Sequence, residues 1–129
     1  MGSAARKVRH YRDLIVWQKA MDLVENTYAV TRALPADERF GLVQQMQRAA
    51  VSVPSNIAEG HQRQSRNAYM HFLSIARGSL AELETQLLML PRLQYMTEAD
   101  IRMCLKLADE VGRMLRAITL RLAHPAPSP

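Results

Sequence analysis

Arg48-Ala49-Ala50-Val51-Ser52-Val53-Pro54-Ser55-Asn56-Ile57-Ala58-Glu59-Gly60 places a proline and a run of small polar residues inside an otherwise apolar helical period. At 3.6 residues per turn, Leu42, Met46, Ala49, Ala50, Val53, Ile57 and Gly60 fall on one side of a helix. Ser52, Asn56, Glu59 and Arg63 follow a neighbouring stripe, so polar groups are arrayed beside the core. Pro54 offers no amide hydrogen to the carbonyl of Ala50. A continuous helix then kinks here, with Ser52 or water at the freed group. The alternative is a break, with Ser52 or Val53 capping a new helix whose first turn holds Pro54. The continuing apolar period favours the kink, and Gly60 suits a helix C-cap.

The same period recurs on both sides of this stretch. A first helix is expected over Leu14–Arg32, capped by Asp13, with Leu14, Trp17, Met21, Val24 and Tyr28 as its stripe, broadened by Val16, Ala20, Leu23 and Thr27. Leu34-Pro35-Ala36-Asp37 reads as a turn. Asp37 would cap a second helix that starts near Glu38 or Arg39 and turns Phe40, Val43, Met46, Ala50, Val53 and Ile57 to the packing face. After a basic turn, Ser65 would cap a third helix over Asn67–Leu90, packed through Tyr69, Phe72, Leu73, Ala76, Leu80, Leu83, Leu87 and Leu90. Pro91–Met96 makes a connection. Thr97 with Asp100 then forms a capping box for a fourth helix, Glu98–Leu122. Ile101, Cys104, Leu105, Ala108, Val111, Leu115, Ile118 and Leu122 face its bundle side.

Four amphipathic helices with short connections and no strand-like alternation predict an all-α fold, an antiparallel up-and-down four-helix bundle. Residues 1–12 read as a basic arm, 13–122 as the bundle domain and 123–129 as a Pro-rich tail. Leu88, Met89, Met103, Leu107, Met114 and Leu120 widen the apolar circumference beyond what one bundle needs, which predicts self-assembly.

With 129 residues, 48% hydrophobic but only 5% aromatic, the chain fits a single aliphatic helical domain rather than a glycine-rich nucleotide-binding sheet. Charges flank its short apolar run Leu87–Leu90, so no membrane span is expected. The first residues do not read as a secretory hydrophobic segment, and a cytoplasmic protein is expected. Cys104 is the single cysteine and lies in an apolar pattern, which excludes an intrachain disulfide and reads as a small buried hydrophobe.

Chemistry is hard to place on this pattern. Glu59, Glu82, Glu84, His61 and His71 carry reactive atoms without the spacing that divides acid from base. There is no Glu-x-x-His pair, Gly-Lys-Ser/Thr phosphate loop, HExxH motif or Cys/His finger. The expectation is a protein that is not an enzyme and needs no cofactor or metal. Ser52, Asn56, Glu59, Ser79 and Glu82 are expected to form a structural polar network that sets helix register.

Seventeen Lys or Arg against twelve Asp or Glu leave a formal charge of +5. That balance favours approach to a polyanion. The candidate nucleic-acid contacts are Arg48, Arg63, Arg66 and Arg77, with Arg102, Lys106, Arg113 and Arg116 on the fourth helix. Arg63 and Arg66, beside a helix start, are the best local phosphate site. Trp17 is a lesser candidate for stacking on a base.

Three segments carry a resemblance: Asp13-Leu14-Ile15-Val16-Trp17-Gln18-Lys19-Ala20, the stretch from Gln47 to Gly60, and Phe72-Leu73-Ser74-Ile75-Ala76-Arg77-Gly78-Ser79-Leu80-Ala81-Glu82-Leu83-Glu84-Thr85-Gln86-Leu87. Over about Tyr11–Leu122 the chain resembles the small four-helix-bundle family associated with intervening sequences of bacterial large-subunit ribosomal RNA, also labelled S23 ribosomal-like. In appearance it is also similar to the bundle-shaped accessory proteins of diversity-generating retroelements. The resemblance implies an antiparallel bundle able to form a cyclic homopentamer, and an accessory role near RNA or DNA. No reaction or cofactor carries over. A homo-oligomeric scaffold that binds a protein partner without touching nucleic acid is the other expectation.

Overall fold

The computed structural model describes residues 8–125. The remainder of the expected arm, with Arg6 and Lys7, and the end of the Pro-rich tail lie outside the described residues. Four helices make the bundle: α1 Ile15–Arg32, α2 Gln44–Gln62, α3 Arg66–Arg92 and α4 Glu98–Ala123. Each packs on its two neighbours around the ring, α1 on α2 and α4, and α3 on α2 and α4. Among the described residues there is no strand.

The core follows the apolar period through α2 (Met46, Ala49, Ala50, Val53, Ile57), α3 (Leu73, Ala76, Leu80, Leu83, Leu87, Leu90) and α4 (Ile101, Cys104, Ala108, Val111, Leu115). In α1 the buried face is Val16, Ala20, Leu23, Thr27 and Thr31. The expected stripe of Leu14, Trp17, Met21, Val24 and Tyr28 therefore lies on its flank, with Met21 exposed. The residues read as broadening that stripe, Val16, Ala20, Leu23 and Thr27, form the centre of the face. Thr27 remains satisfied there, its hydroxyl donating to the Leu23 carbonyl at 2.8 Å.

The helix ends correct several expectations. Asp13 does not cap α1. Its carboxylate instead closes a capping box with His10 on a short 3-10 turn, Tyr11–Asp13, so this part of the arm is folded against α1 and α2. Asp37 does not cap the second helix. Glu38 does so, accepting from the Leu42 amide at 3.0 Å. The chain then winds a π-helical turn, Arg39–Val43, before α2 becomes regular. Gly41 leaves helical geometry there (φ −108°, ψ −110°). This rotates the preceding apolar phase, and Phe40, expected in the core, stands 81% exposed. Ser65 caps α3 and the Thr97–Asp100 box caps α4, as their spacings predict.

Pro54 sits buried inside α2, which runs through it unbroken, so a break with a new cap there is excluded. Gly60 is not a C-cap, because α2 continues to Gln62 and ends at Arg63, followed by Gln64 in the left-handed region (φ 57°). Gly60 is needed for another reason. It is a point of close approach to α3, where a Cβ would stand 2.8 Å from the Cβ of Phe72. Pro91 and Arg92, expected in the connection, instead complete the last turn of α3.

Candidate nucleic-acid interface

Ser52, Asn56 and Ser79 meet where α2 crosses α3. The Ser52 and Ser79 hydroxyls are 2.8 Å apart, and Asn56 Nδ2 donates to the Ser52 carbonyl (2.8 Å) and hydroxyl (2.9 Å). These half-buried groups satisfy one another and fix the relative height of the two helices. Glu59 does not join them. It accepts from Arg63 one turn further on, at 2.8 Å. Glu82 is exposed and has no hydrogen bond or ion pair among the described residues.

Of the expected basic contacts, Arg63, Arg66, Arg113 and Arg116 lie toward one end of the bundle, whereas Arg48, Arg77, Arg102 and Lys106 lie elsewhere. Arg48 lies near the start of α2 beside Tyr28, Gln47 and Val51, and Arg77 is exposed midway along α3. Arg102 and Lys106 are exposed in the first half of α4. Arg113 is tied to Asp109 at 2.8 Å, and Arg116 is exposed one turn later. Arg63 and Arg66 flank the α2–α3 turn, with the Arg63 guanidinium 5.2 Å over the Phe72 ring.

Antiparallel packing gathers what is scattered in the chain. The start of α1, the α2–α3 turn and the end of α4 form one end of the bundle. Within residues 8–14, 59–72 and 111–124 lie Arg9, Arg12, Arg63, Arg66, Arg113, Arg116 and Arg121, against the carboxylates of Asp13 and Glu59. Asp109, just before the last of these segments, adds a third carboxylate by pairing with Arg113. All four histidines, His10, His61, His71 and His124, stand at this end as well. At the other end Arg32, Arg39, Arg92 and Arg102 are matched by Asp37, Glu38, Glu98 and Asp100. The positive excess is thus concentrated at one pole.

Of that pole, the sequence reading passed over Arg121 and left Arg9 and Arg12 in a separate basic arm. Arg9, Arg12 and Arg121 are remote from Arg63 and Arg66 along the chain, and only the pairing of helix ends brings them near. The Tyr69 phenol is held above its usual range by burial, and the nearby positive charge of Arg121 acts against that. A cleft of about 750 Å³ between the start of α1 and the end of α4 is lined by Leu14, Ile15, Met114 and Ile118, with Asp13, Gln18 and Arg121 among its polar groups.

Elsewhere the electrostatics are structural. Lys19 on α1 reaches Glu110 on α4 at 3.0 Å, and this hydrogen bond draws the Glu110 carboxyl below its usual range. Burial pushes the Cys104 thiol up, against a contact of 3.5 Å with the Thr27 hydroxyl. Among the described residues no three His, Cys, Asp or Glu side chains converge as a metal site requires. No helix is long and apolar enough to cross a membrane.

Comparison with known proteins yields a matching family and solved structures of similar fold. Residues 12–117 match the family model described as 23S rRNA-intervening sequence protein. The chain is also similar to a crystal structure of a protein of unknown function from the S23 ribosomal protein family of Bacteroides thetaiotaomicron VPI-5482. Their TM-score is 0.75 at 25% identity, over 81% of this chain and 98% of that one. No curated protein matches.

Proposed function

Because the chain belongs to the 23S rRNA-intervening sequence protein family, we propose that it is a noncatalytic, cytoplasmic accessory protein that assembles with itself and associates with nucleic acid, ribosomal RNA foremost. The observation that carries this reading is the one-sided charge. Seven arginines at one pole face few carboxylates, and Arg9, Arg12, Arg66, Arg116 and Arg121 have no ion pair among the described residues. Such a pole gains affinity for phosphate by releasing counterions, and several copies in a ring would multiply weak contacts.

Self-assembly draws support from exposed apolar side chains that a lone bundle leaves in water, among them Ile15, Leu88, Met103 and Leu120. Five subunits is the number that resemblance implies. The second reading is a scaffold for a protein partner. It is favoured by the charge-balanced pole, where Phe40 and Leu93 are exposed.

Light scattering coupled to size exclusion, with and without ribosomal RNA and across a salt series, tests both. A defined oligomer that joins the RNA at low salt and leaves it at high salt supports the first reading. An oligomer that elutes apart from RNA even at low salt overturns it and favours the scaffold. A stable monomer overturns the assembly.

A further inference from the structure

Every ring–ring contact among the described residues lies at the arginine-rich pole. The His10 and Tyr11 rings touch at a tilt of 38° with centroids 4.1 Å apart, and Tyr11 meets Trp17 edge-on at 5.4 Å. Across α2, His61 meets Tyr69 at 5.7 Å and His71 meets Phe72 at 5.4 Å. The Arg63 guanidinium lies over Phe72, fixed from behind by Glu59. Phosphate alone does not call for rings. A duplex presents a continuous backbone and hides its bases in the stack, so arginines would suffice to hold it.

The two ring clusters flank the last turns of α2. On one side Tyr11 and Trp17 wall a cleft of about 380 Å³ over Pro54, Ser55 and Ala58. On the other, bare Gly60 lets Tyr69 and Phe72 settle against the helix. All four rings are half-buried, held by packing while part of each remains in solvent. Rigid flat surfaces interleaved with guanidinium groups are what unpaired bases stack upon, and every base has a face to offer.

Resting on the reading of this pole as a nucleic-acid contact, we propose that it takes unpaired nucleotides. In this arrangement bases stack on the Tyr11–Trp17 and Tyr69–Phe72 clusters, and their phosphates lie on Arg9, Arg12, Arg66 and Arg121. The ligand class is a single strand, a loop or a frayed end, rather than a continuous duplex. Ser55 and the Tyr11 phenol are the cleft's hydroxyl-bearing groups and offer hydrogen bonds without a donor–acceptor code, so sequence preference is weak.

The test compares binding of the full chain to a short labelled RNA single strand and to the same sequence as a duplex, by fluorescence anisotropy at moderate salt. Tyr11→Leu and Phe72→Leu keep apolar bulk while removing a ring, and thermal melting checks that each variant is folded. The expected result is tighter binding of the single strand. Each variant should lower that affinity about tenfold, within the range of one lost stacking contact, and leave duplex binding unchanged. Equal binding of both forms, insensitive to the two variants, overturns this inference while leaving nucleic-acid association intact. No binding of either form overturns both. A change of subunit number with unchanged affinity overturns the stacking role and assigns the rings to an interface between copies. Should Phe72→Leu fail to fold, Tyr11→Leu, outside the four helices, decides alone.

Discussion

Gly60 lies so close beneath Phe72 that a Cβ placed on it would stand 2.8 Å from the Cβ of that residue. Both atoms would be fixed to backbone, so no rotamer change relieves the contact and the helices must separate. Overpacking of this kind costs about 1–3 kcal/mol, against about 1 kcal/mol of improved helix propensity. Gly60→Ala is therefore expected to lower stability, by up to about 2 kcal/mol, in urea denaturation. Gly78→Ala, where a Cβ meets nothing within 4 Å, should raise it by about 0.5–1 kcal/mol. Equal effects at the two positions would mean that α2 and α3 are not held in this close crossing.

Glu38 joins the two loops at the charge-balanced pole. Its carboxylate caps the Leu42 amide and accepts from the Tyr95 hydroxyl at 2.7 Å. The Leu42 amide first, then the Tyr95 hydroxyl, hold the carboxyl below its ordinary value of 4.5. A lowered carboxyl in the folded state stabilises fully above pH 4.5. That contribution shrinks below this pH and is gone once the folded value has been passed. The Tyr95 phenol is raised above 10.0, mainly because it donates to Glu38, so its contribution holds below pH 10.0 and fades as pH rises through the folded value. Glu38→Gln should then lower the melting temperature at pH 7 and converge on the parent as the pH is taken well below 4. A constant difference across that window would sink the assignment.

Gln86 is buried in α3, and its side-chain carbonyl oxygen has no hydrogen-bond partner among the described residues. An unsatisfied buried acceptor forgoes about 1–3 kcal/mol of solvation. Gln86→Met keeps the length and removes the acceptor. It should stabilise the chain by about 1 kcal/mol in chemical denaturation; a loss of stability instead would point to an ordered water at that oxygen.

These residues also mark how far the sequence could be read. The periods of α2, α3 and α4 and the caps at Ser65 and Thr97 were legible, because each depends on neighbours within a few positions. In α1 the expected face was correct in extent but not in its centre: Val16, Ala20, Leu23 and Thr27, read as its margin, are buried, and Trp17 and Tyr28, read as its middle, lie beside them, since periodicity does not say which of two adjoining stripes has room at the centre. Gly60 was read for its backbone freedom when its use is the lack of a side chain, and only the partner helix distinguishes the two. Phe40 was misplaced by the turn at Gly41, which no apolar pattern announces. Of the polar set, Ser52, Asn56 and Ser79 meet, while Glu59 and Glu82 were included on spacing alone. The basic pole was illegible for a further reason: Arg9, Arg12 and Arg121 join Arg63 and Arg66 only after the chain has reversed direction three times.

Salt dependence distinguishes that pole from the rest of the surface. If Arg66 and Arg121 each neutralise a phosphate, Arg66→Gln and Arg121→Gln should each reduce the slope of log affinity against log salt by about 0.7–0.9. Arg92→Gln, at the charge-balanced pole, should leave the slope unchanged. A slope equally sensitive to Arg92 and Arg121 would show that charge is used without regard to position.

The separation of charge along the bundle also bears on symmetry. A ring whose axis runs along the helices turns every subunit the same way up, so it would be a two-sided disc with the arginines and histidines together on one side. Stacking two such rings back to back would expose both charged sides, whereas stacking them front to front would force like charges together. The other side of a single disc, with Phe40 and the Glu38–Tyr95 clasp, would be available to a different partner at the same time. Nucleic acid and protein would then not have to compete for this molecule.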